Sequence, residues 1–256
     1  MRHFPASIFS ILLFGAAAQA QTVGSITAVN QAARGTPPGA AARTLSIGAG
    51  VVRNERIQTD AEGTAQVTFD DRSTMSVGRN STVVVNNHVF DPNAGAGAQA
   101  TSLLRGAMRY VGGGVSHGNG ATITTPVATL GVRGGVASFE LVQQGGRLAL
   151  RITNHYGVVT INNSAGRFVL NRQDMQVIVD SPNSLPRALG FVDPGSLAAF
   201  DRKLTSVGRQ QGGAQQKPTD AMMARQGVRT PRPSVETPPI DLQGAVDDAT
   251  RRGVRS

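Results

Sequence analysis

The sequence predicts an all-β domain followed by one short C-terminal helix and a disordered tail, and three observations carry that expectation. From residue 22 to about residue 179, apolar and polar side chains alternate with period two, and turn residues interrupt the alternation about every 8–12 positions. Thirty-one Gly stand against two Tyr and no Trp, which suits many short strands and tight turns better than a helical bundle. Helical spacing of apolar residues is clearest only near the end, after Asp193.

The elements follow in chain order. Arg2 and His3, the apolar run Ile8-Phe9-Ser10-Ile11-Leu12-Leu13-Phe14 and the small residues of Ala18-Gln19-Ala20 have the order of a cleavable secretory signal peptide, residues 1–20. The run covers about a dozen residues, short of the roughly 18–20 that cross a hydrocarbon core. Cleavage after Ala20 is expected to leave a periplasmic or secreted chain with no transmembrane helix. The β domain is expected over 21–182. Segments 66–69, 75–77, 82–85, 103–111, 121–125, 127–132, 136–142, 148–153, 158–161, 168–170 and 175–179 read as strands. Gln144-Gly145-Gly146 and Asn162-Asn163-Ser164-Ala165-Gly166 read as hairpin turns. Segments 35–39 and 91–99 hold no apolar side chain larger than Ala or Pro and read as surface loops.

Segment 183–208 reads as a linker and a docked helix. Asp193 can cap it, Pro194 takes its first position, and Leu197, Phe200, Leu204 and Val207 form a stripe expected to rest on the β domain. Segment 209–256 is rich in Gln, Gly, Pro, Arg and Thr with few large apolar residues, and is expected to be mostly disordered, with transient helical turns at 221–225 and 242–246.

Charge narrows the partners. Twenty-five Lys and Arg against 16 Asp and Glu give a net charge of +9. The excess is diluted: residues 21–204 hold 16 basic and 11 acidic side chains, and residues 205–256 hold 8 and 5. Nucleic-acid binders cluster their cations among stacking aromatics, and only six Phe and two Tyr lie beyond residue 20. Nucleic acid is therefore not an expected partner; an anionic envelope surface or polysaccharide fits mild positive charge better. The absence of Cys excludes disulfides, thiolate metal sites and cysteine nucleophiles.

A search for catalytic chemistry finds little. His88, His117 and His155 match no metal spacing and read as exposed loop histidines. Asp70-Asp71 reads as a turn pair bonding its own backbone. Asp60 and Glu62 lack the spacing of a calcium loop. Gly112-Gly113-Gly114 is not followed by the Gly-Lys-Ser/Thr of a phosphate cradle, and no Ser lies in a G-x-S-x-G elbow. No enzyme activity, cofactor or metal is expected.

The stretch Ala121-Thr122-Ile123-Thr124-Thr125-Pro126-Val127-Ala128-Thr129-Leu130-Gly131-Val132-Arg133-Gly134 resembles the FecR domain family, whose members carry the form I-x-T-P-x-A-x-I-G-V-R-G-T. Arg56-Ile57-Gln58-Thr59 resembles the family's G-D-x-I-x-T segment, and residues 65–73 its A-x-L-x-F-x-D-G-S. Residues 104–113 resemble its L-x-x-G-x-x-R-x-x-x-G, and residues 154–161 its following G-x-V-x-V strand. The resemblance covers roughly residues 23–180. It implies an exported, non-enzymatic β domain that binds or senses something, with short strands stacked in a solenoid-like manner. Family members that regulate sigma factors carry a cytoplasmic segment and a transmembrane helix ahead of this domain, where a signal peptide is expected here.

Departures from the family fall at turns. Asn54-Glu55 stands in place of Gly-Asp, Arg72 in place of a turn Gly, Gly135 in place of Thr, and Asp174 where a Gly ends the last turn. The family residues Thr125, Pro126, Gly131, Val132, Arg133 and Gly134 read as structural. Ala128, Leu130 and Val132 share one strand face while Gly131 leaves a gap on the other, beside Arg133. The Arg133 guanidinium is expected to bond neighbouring turn carbonyls and staple layers, with Glu140 as a possible acid partner; anion binding is its alternative role.

The expected function is recognition of an envelope protein or polysaccharide, in sensing, regulation or scaffolding. Candidate partner-binding residues are Arg109 and Tyr110 in the β domain and Arg229, Arg232, Arg251 and Arg252 in the tail. Two alternatives remain: an adhesin-like polysaccharide scaffold using Tyr110, Tyr156, Phe139 and Phe168, and a β-helix hydrolase or lyase, which would need clustered carboxylates.

Overall fold

A computed structural model describes residues 21–212, apart from 31, 92, 94 and 95. The signal-peptide expectation and the tail candidates Arg229, Arg232, Arg251 and Arg252 lie outside the described residues. The described chain is mostly β, with two helices. Its first strands are β1 (Thr22–Val29), β2 (Ala33–Thr36), β3 (Arg43–Thr44), β4 (Gly50–Val52), β5 (Glu55–Thr59), β6 (Ala65–Phe69) and β7 (Thr74–Val77). Next come β8 (Thr82–Asp91), β9 (Ala96–Arg105) and β10 (Ala107–Val111), then the single helical turn α1 (Gly114–His117). Strands β11 (Ala121–Thr124), β12 (Thr129–Gln144), β13 (Arg147–Asn163), β14 (Gly166–Leu170), β15 (Met175–Val179) and β16 (Arg187–Phe191) precede helix α2 (Pro194–Lys203) and β17 (Gln211–Gly212).

The period-two pattern does what it predicts. Alternate residues of β5, β6, β7 and β11 are buried and the residues between them are not. All strands join one hydrogen-bonded sheet, which curls into a half-barrel with two wings. In the first wing β4 and β6 flank β1, and β7, β10, the second half of β12, the first half of β13, β15 and β16 follow. The second wing runs β3, β2, β5, β8, β9, β11, the first half of β12, the second half of β13, and β14. The long β12–β13 hairpin belongs to both.

Both wings bury their inner faces in one core. Met75, Met108, Phe139 and Ile152 come from the first, and Ile57, Val83, Leu103, Ile123, Leu130 and Ile161 from the second. Burial of such side chains, about 1.5–3 kcal/mol each, is the dominant favourable term. Tyr110 of β10 crosses the core to donate its hydroxyl to Gln99 Oε1 of β9 at 2.7 Å.

The solenoid-like stack is not confirmed. Coils wound in one direction would pair successive strands in parallel, whereas only β9–β11 is parallel among the described pairings and the rest are antiparallel. Other boundaries also differ from expectation. The single strand expected over 103–111 is two strands, because Gly106 turns at φ 81 and a Cβ there would lie 2.2 Å from Ser81 Oγ. The loop expected at 91–99 is shorter, since residues 96–99 belong to β9, where small side chains still pair through their backbone. Strand β16 lies inside the expected linker, and β17 adds Gln211 and Gly212 to β1 inside the expected tail.

Helix α2 starts where the sequence places it. The Asp193 carboxylate accepts from the N–H groups of Gly195 and Ser196, and Pro194 opens the first turn. Its stripe is only partly buried, with Val207 48% exposed. Polar contacts hold it as well: Arg109–Asp201 at 2.8 Å, Lys203–Glu140, and the Arg79 guanidinium on the Arg202 carbonyl at 3.0 Å. No helix among the described residues is long and apolar enough to cross a membrane.

Candidate functional site

The residues singled out by sequence lie around the β12–β13 hairpin. Thr125 closes a tight turn: its hydroxyl donates to the Ala128 carbonyl at 2.8 Å and accepts from the Ala128 N–H at 3.0 Å. Pro126 stands within this turn. Leu130 and Val132 point into the core, and Gly131 and Arg133 face outward. A Cβ on Gly131 would meet only Thr160 Cβ, at 3.7 Å, so the gap there is genuine space. The Arg133 guanidinium donates to the Gly118 carbonyl at 3.1 Å, fastening the loop after α1 to β12. It does not meet Glu140, which Arg151 and Lys203 engage instead.

Beside Arg133 the hairpin bends. Gly134 has φ 45 and Gly135 φ 153; a Cβ on Gly135 would fall 1.9 Å from the Tyr156 carbonyl oxygen, and one on Gly157 1.7 Å from that of Gly134. The register slips between Arg133 and Val136 at this point. This glycine-lined bulge lets one pair of strands leave the second wing and enter the first.

Arg109 and Tyr110 sit on opposite faces of β10. Arg109 faces outward under α2, bonding Asp201 and, at 3.1 Å, Ser138 Oγ, with its guanidinium 5.3 Å from the Phe200 ring centre. Ser138 also bonds the His155 ring at 2.8 Å. Burial pushes His155 down to about 4, and the nearby Arg109 charge acts in the same direction against the weaker pull of Asp201. Tyr110 is 2% exposed, so it offers no surface to a partner.

A buried polar cluster lies at the end of the core near α1. The Asp71 carboxylate accepts from the Ser73 hydroxyl at 2.6 Å, the Ser73 N–H at 3.0 Å and the Val115 N–H at 2.9 Å, which confirms local backbone bonding at this turn and adds a cap for α1. His88 is not an exposed loop residue. It lies in β8, 3% exposed, stacked on Phe69 at 5.0 Å with its Nε2 3.9 Å from Asp71. Burial lowers its proton affinity more than Asp71 and Asp70 raise it. The expectation failed because β8 extends six residues past Val85, carrying His88 inward. Chemically the set is no nucleophile–base pair: the serine donates to the carboxylate, and neither imidazole nitrogen has a hydrogen-bond partner. Among the described residues no group of three or more His, Asp or Glu could hold a metal ion.

The most exposed large apolar side chain, Phe191, sits at the far edge of the first wing. Strand β16 pairs with β15 alone, and Leu189 and Phe191 upon it are 41% and 67% exposed, with Leu185 just ahead at 48%. Among the described residues no residue register pairs β16 with any other strand, β17 pairing with β1 instead. Sequence reasoning missed this edge because Gly190 and Pro186 dilute the alternation of a five-residue strand.

Fold and motif together define a mostly-β domain organised on a bulged hairpin that bridges two wings of one sheet. Residues 55–178 match the FecR protein family, and a FecR domain is detected over that stretch. The matched residues begin later than the 23–180 stretch over which the resemblance runs, so β1 to β4 precede them. Two crystal structures of candidate anti-sigma factors from Parabacteroides distasonis are similar to this chain. One is 15% identical with a TM-score of 0.44, covering 57% of this chain and 63% of its own. The other is 11% identical with a TM-score of 0.40, covering 67% and 92%. No curated protein matches the sequence.

Proposed function

We propose that this protein is an exported, non-enzymatic FecR-domain protein that binds a protein partner at the cell envelope in sensing or regulation. The single observation that carries the reading is the free edge of β16. An unpaired strand edge offers backbone donors and acceptors to an incoming strand on either side of the irregularity at Leu189, and Leu189 and Phe191 supply apolar contacts beside them. A protein suits this edge better than a glycan. Of the four aromatic side chains considered as sugar platforms, Tyr110 and Phe139 are buried and Phe168 packs against the core, which leaves Tyr156 alone among them. Export rests on the leader at residues 1–20, and mass spectrometry of the mature chain should find Gln21 as its first residue.

The test is a pull-down from envelope extract in mild salt, comparing the mature protein with Leu189→Asp/Phe191→Asp. One partner protein should be retained by the first and reduced at least tenfold with the second, at unchanged melting temperature. Recovery of no protein, or equal recovery by both, overturns the reading.

A further inference from the structure

A cleft of about 720 Å³ opens between the end of β9, the middle of β12 and the end of α2. Arg79, Arg105 and Lys203 contribute its positive charge, and Leu104, Leu141 and Leu148 its apolar wall. Glu140 is the only carboxylate in the lining, and it is already engaged by Lys203 and, at 3.2 Å, by Arg151. Arg105 is exposed and has no acidic partner among the described residues. Arg79 uses its terminal nitrogens on the carbonyls of Ala61 and Arg202, while its Nε is buried without a partner. The neighbouring Asp60 carboxylate turns back onto the N–H groups of Glu62 and Gly63. Positive charge is therefore left uncompensated over a leucine wall, a lining that suits carboxylates interspersed with aliphatic side chains.

The chain itself carries such a segment. Residues 233–250 hold Glu236, Asp241, Asp247 and Asp248 with no Lys or Arg, and interleave them with Val235, Ile240, Leu242 and Val246. Arg232 and Arg251 bracket this acidic block, an exception in a chain of net charge +9. The geometry of the chain permits the meeting. Lys203 lines the cleft and Gly212 follows nine residues later, within about 31 Å of it even if fully extended. The 29 residues from Gly212 to Asp241 are long enough to return from there to the cleft.

We infer that the cleft is a binding site for an acidic, aliphatic peptide and that segment 233–250 of this chain is its occupant. The Asp241 carboxylate meets Arg105, and Ile240 and Leu242 lie on the leucine wall. A weak contact suffices, because the tether holds the segment at roughly millimolar effective concentration. The inference stands apart from the β16 edge and does not need it.

The chain has no Cys, so engineered pairs report unambiguously. Gln143→Cys on the cleft rim is combined with Leu242→Cys, or with Gln216→Cys as a control tail position, in the full mature protein under glutathione exchange. The intramolecular disulfide should form at least tenfold faster with Leu242→Cys than with the control. Arg105→Glu or 1 M NaCl should erase that advantage while the melting temperature stays unchanged. Equal rates for the two tail positions, indifference to Arg105→Glu, or disulfides formed only between molecules each overturn the inference.

Discussion

Installing the family's own residue at the bulge should damage this protein. Gly135 occupies the position where FecR relatives carry Thr, yet its φ of 153 lies where side chains are strained, by about 1–3 kcal/mol. A Cβ there would sit 1.9 Å from the Tyr156 carbonyl oxygen, against roughly 3.3 Å for an ordinary carbon–oxygen contact. Relief requires more than about 1 Å of backbone movement, and the Val136–Tyr156 pairing that ties β12 to β13 lies in its path. Strain and lost pairing together put Gly135→Thr at about 3–5 kcal/mol, which lowers the melting temperature by roughly 6–20 °C for a domain of this size. Gly131→Ala is the internal control: its Cβ would meet only Thr160 Cβ at 3.7 Å, so stability should change by less than about 1 kcal/mol. Thermal and urea unfolding of both variants followed by circular dichroism decide the matter. A Gly135→Thr loss below about 1 kcal/mol, or equal losses for the two, would refute the reasoning.

The other turn departures predict the opposite sign. Arg72 (φ 67), Asn54 (φ 63) and Asp174 (φ 57) hold left-handed backbone where relatives have Gly. Arg72→Gly should therefore stabilise by about 0.5–1 kcal/mol, with smaller gains at the Asn and Asp, which tolerate that region; a lower melting temperature for Arg72→Gly would count against it. Acid should weaken the fold before carboxylates titrate. His155 is held near 4 and His88 is shifted the same way, so the unfolded chain binds more protons as pH falls through 6.5 and stability drops from there toward 4. From pH 7 to pH 5 His155 accounts for at most about 2 kcal/mol of loss, which urea titrations of His155→Gln, beside Arg109 and Asp201, should show to be smaller. Glu55 is fully buried, bonded to Arg43 at 2.8 Å and to the Val52 N–H at 3.0 Å. Removing it as Glu55→Ala should cost about 2–3 kcal/mol by leaving the Val52 N–H without its acceptor and Arg43 with only the Gly50 carbonyl, and an unchanged urea midpoint would refute that.

Local rules were legible wherever one face of a strand meets the core. Segments 66–69 and 75–77 needed only alternation, and the Asp193-Pro194 helix start only its capping chemistry. What alternation does not encode is which strand pairs with which. Period two is the same in a coil of a solenoid and in a curled antiparallel sheet, and the difference rests on the Gly134-Gly135 and Gly157 approach, which needs two distant segments at once. The same limit applied to His88, on which Phe69 of the distant strand β6 stacks, and to Arg133, whose partner was expected at Glu140 and is the Gly118 carbonyl. The cleft draws on β9, β12 and α2, so no sequence window contains it.

The sheet extends well upstream of Glu55, where the family match starts. Val23, Ile26, Val29 and Val51 are buried there, β1 covers the edge of β6, and Arg43 neutralises Glu55. A fragment trimmed to residues 55–178 would uncover the hydrophobic row of Val67 and Phe69, leave a sealed-in carboxylate without its counter-ion, and lose β16 at the other end. Such a piece should be recovered as inclusion bodies, and soluble expression should require boundaries that run from Gln21 through β17.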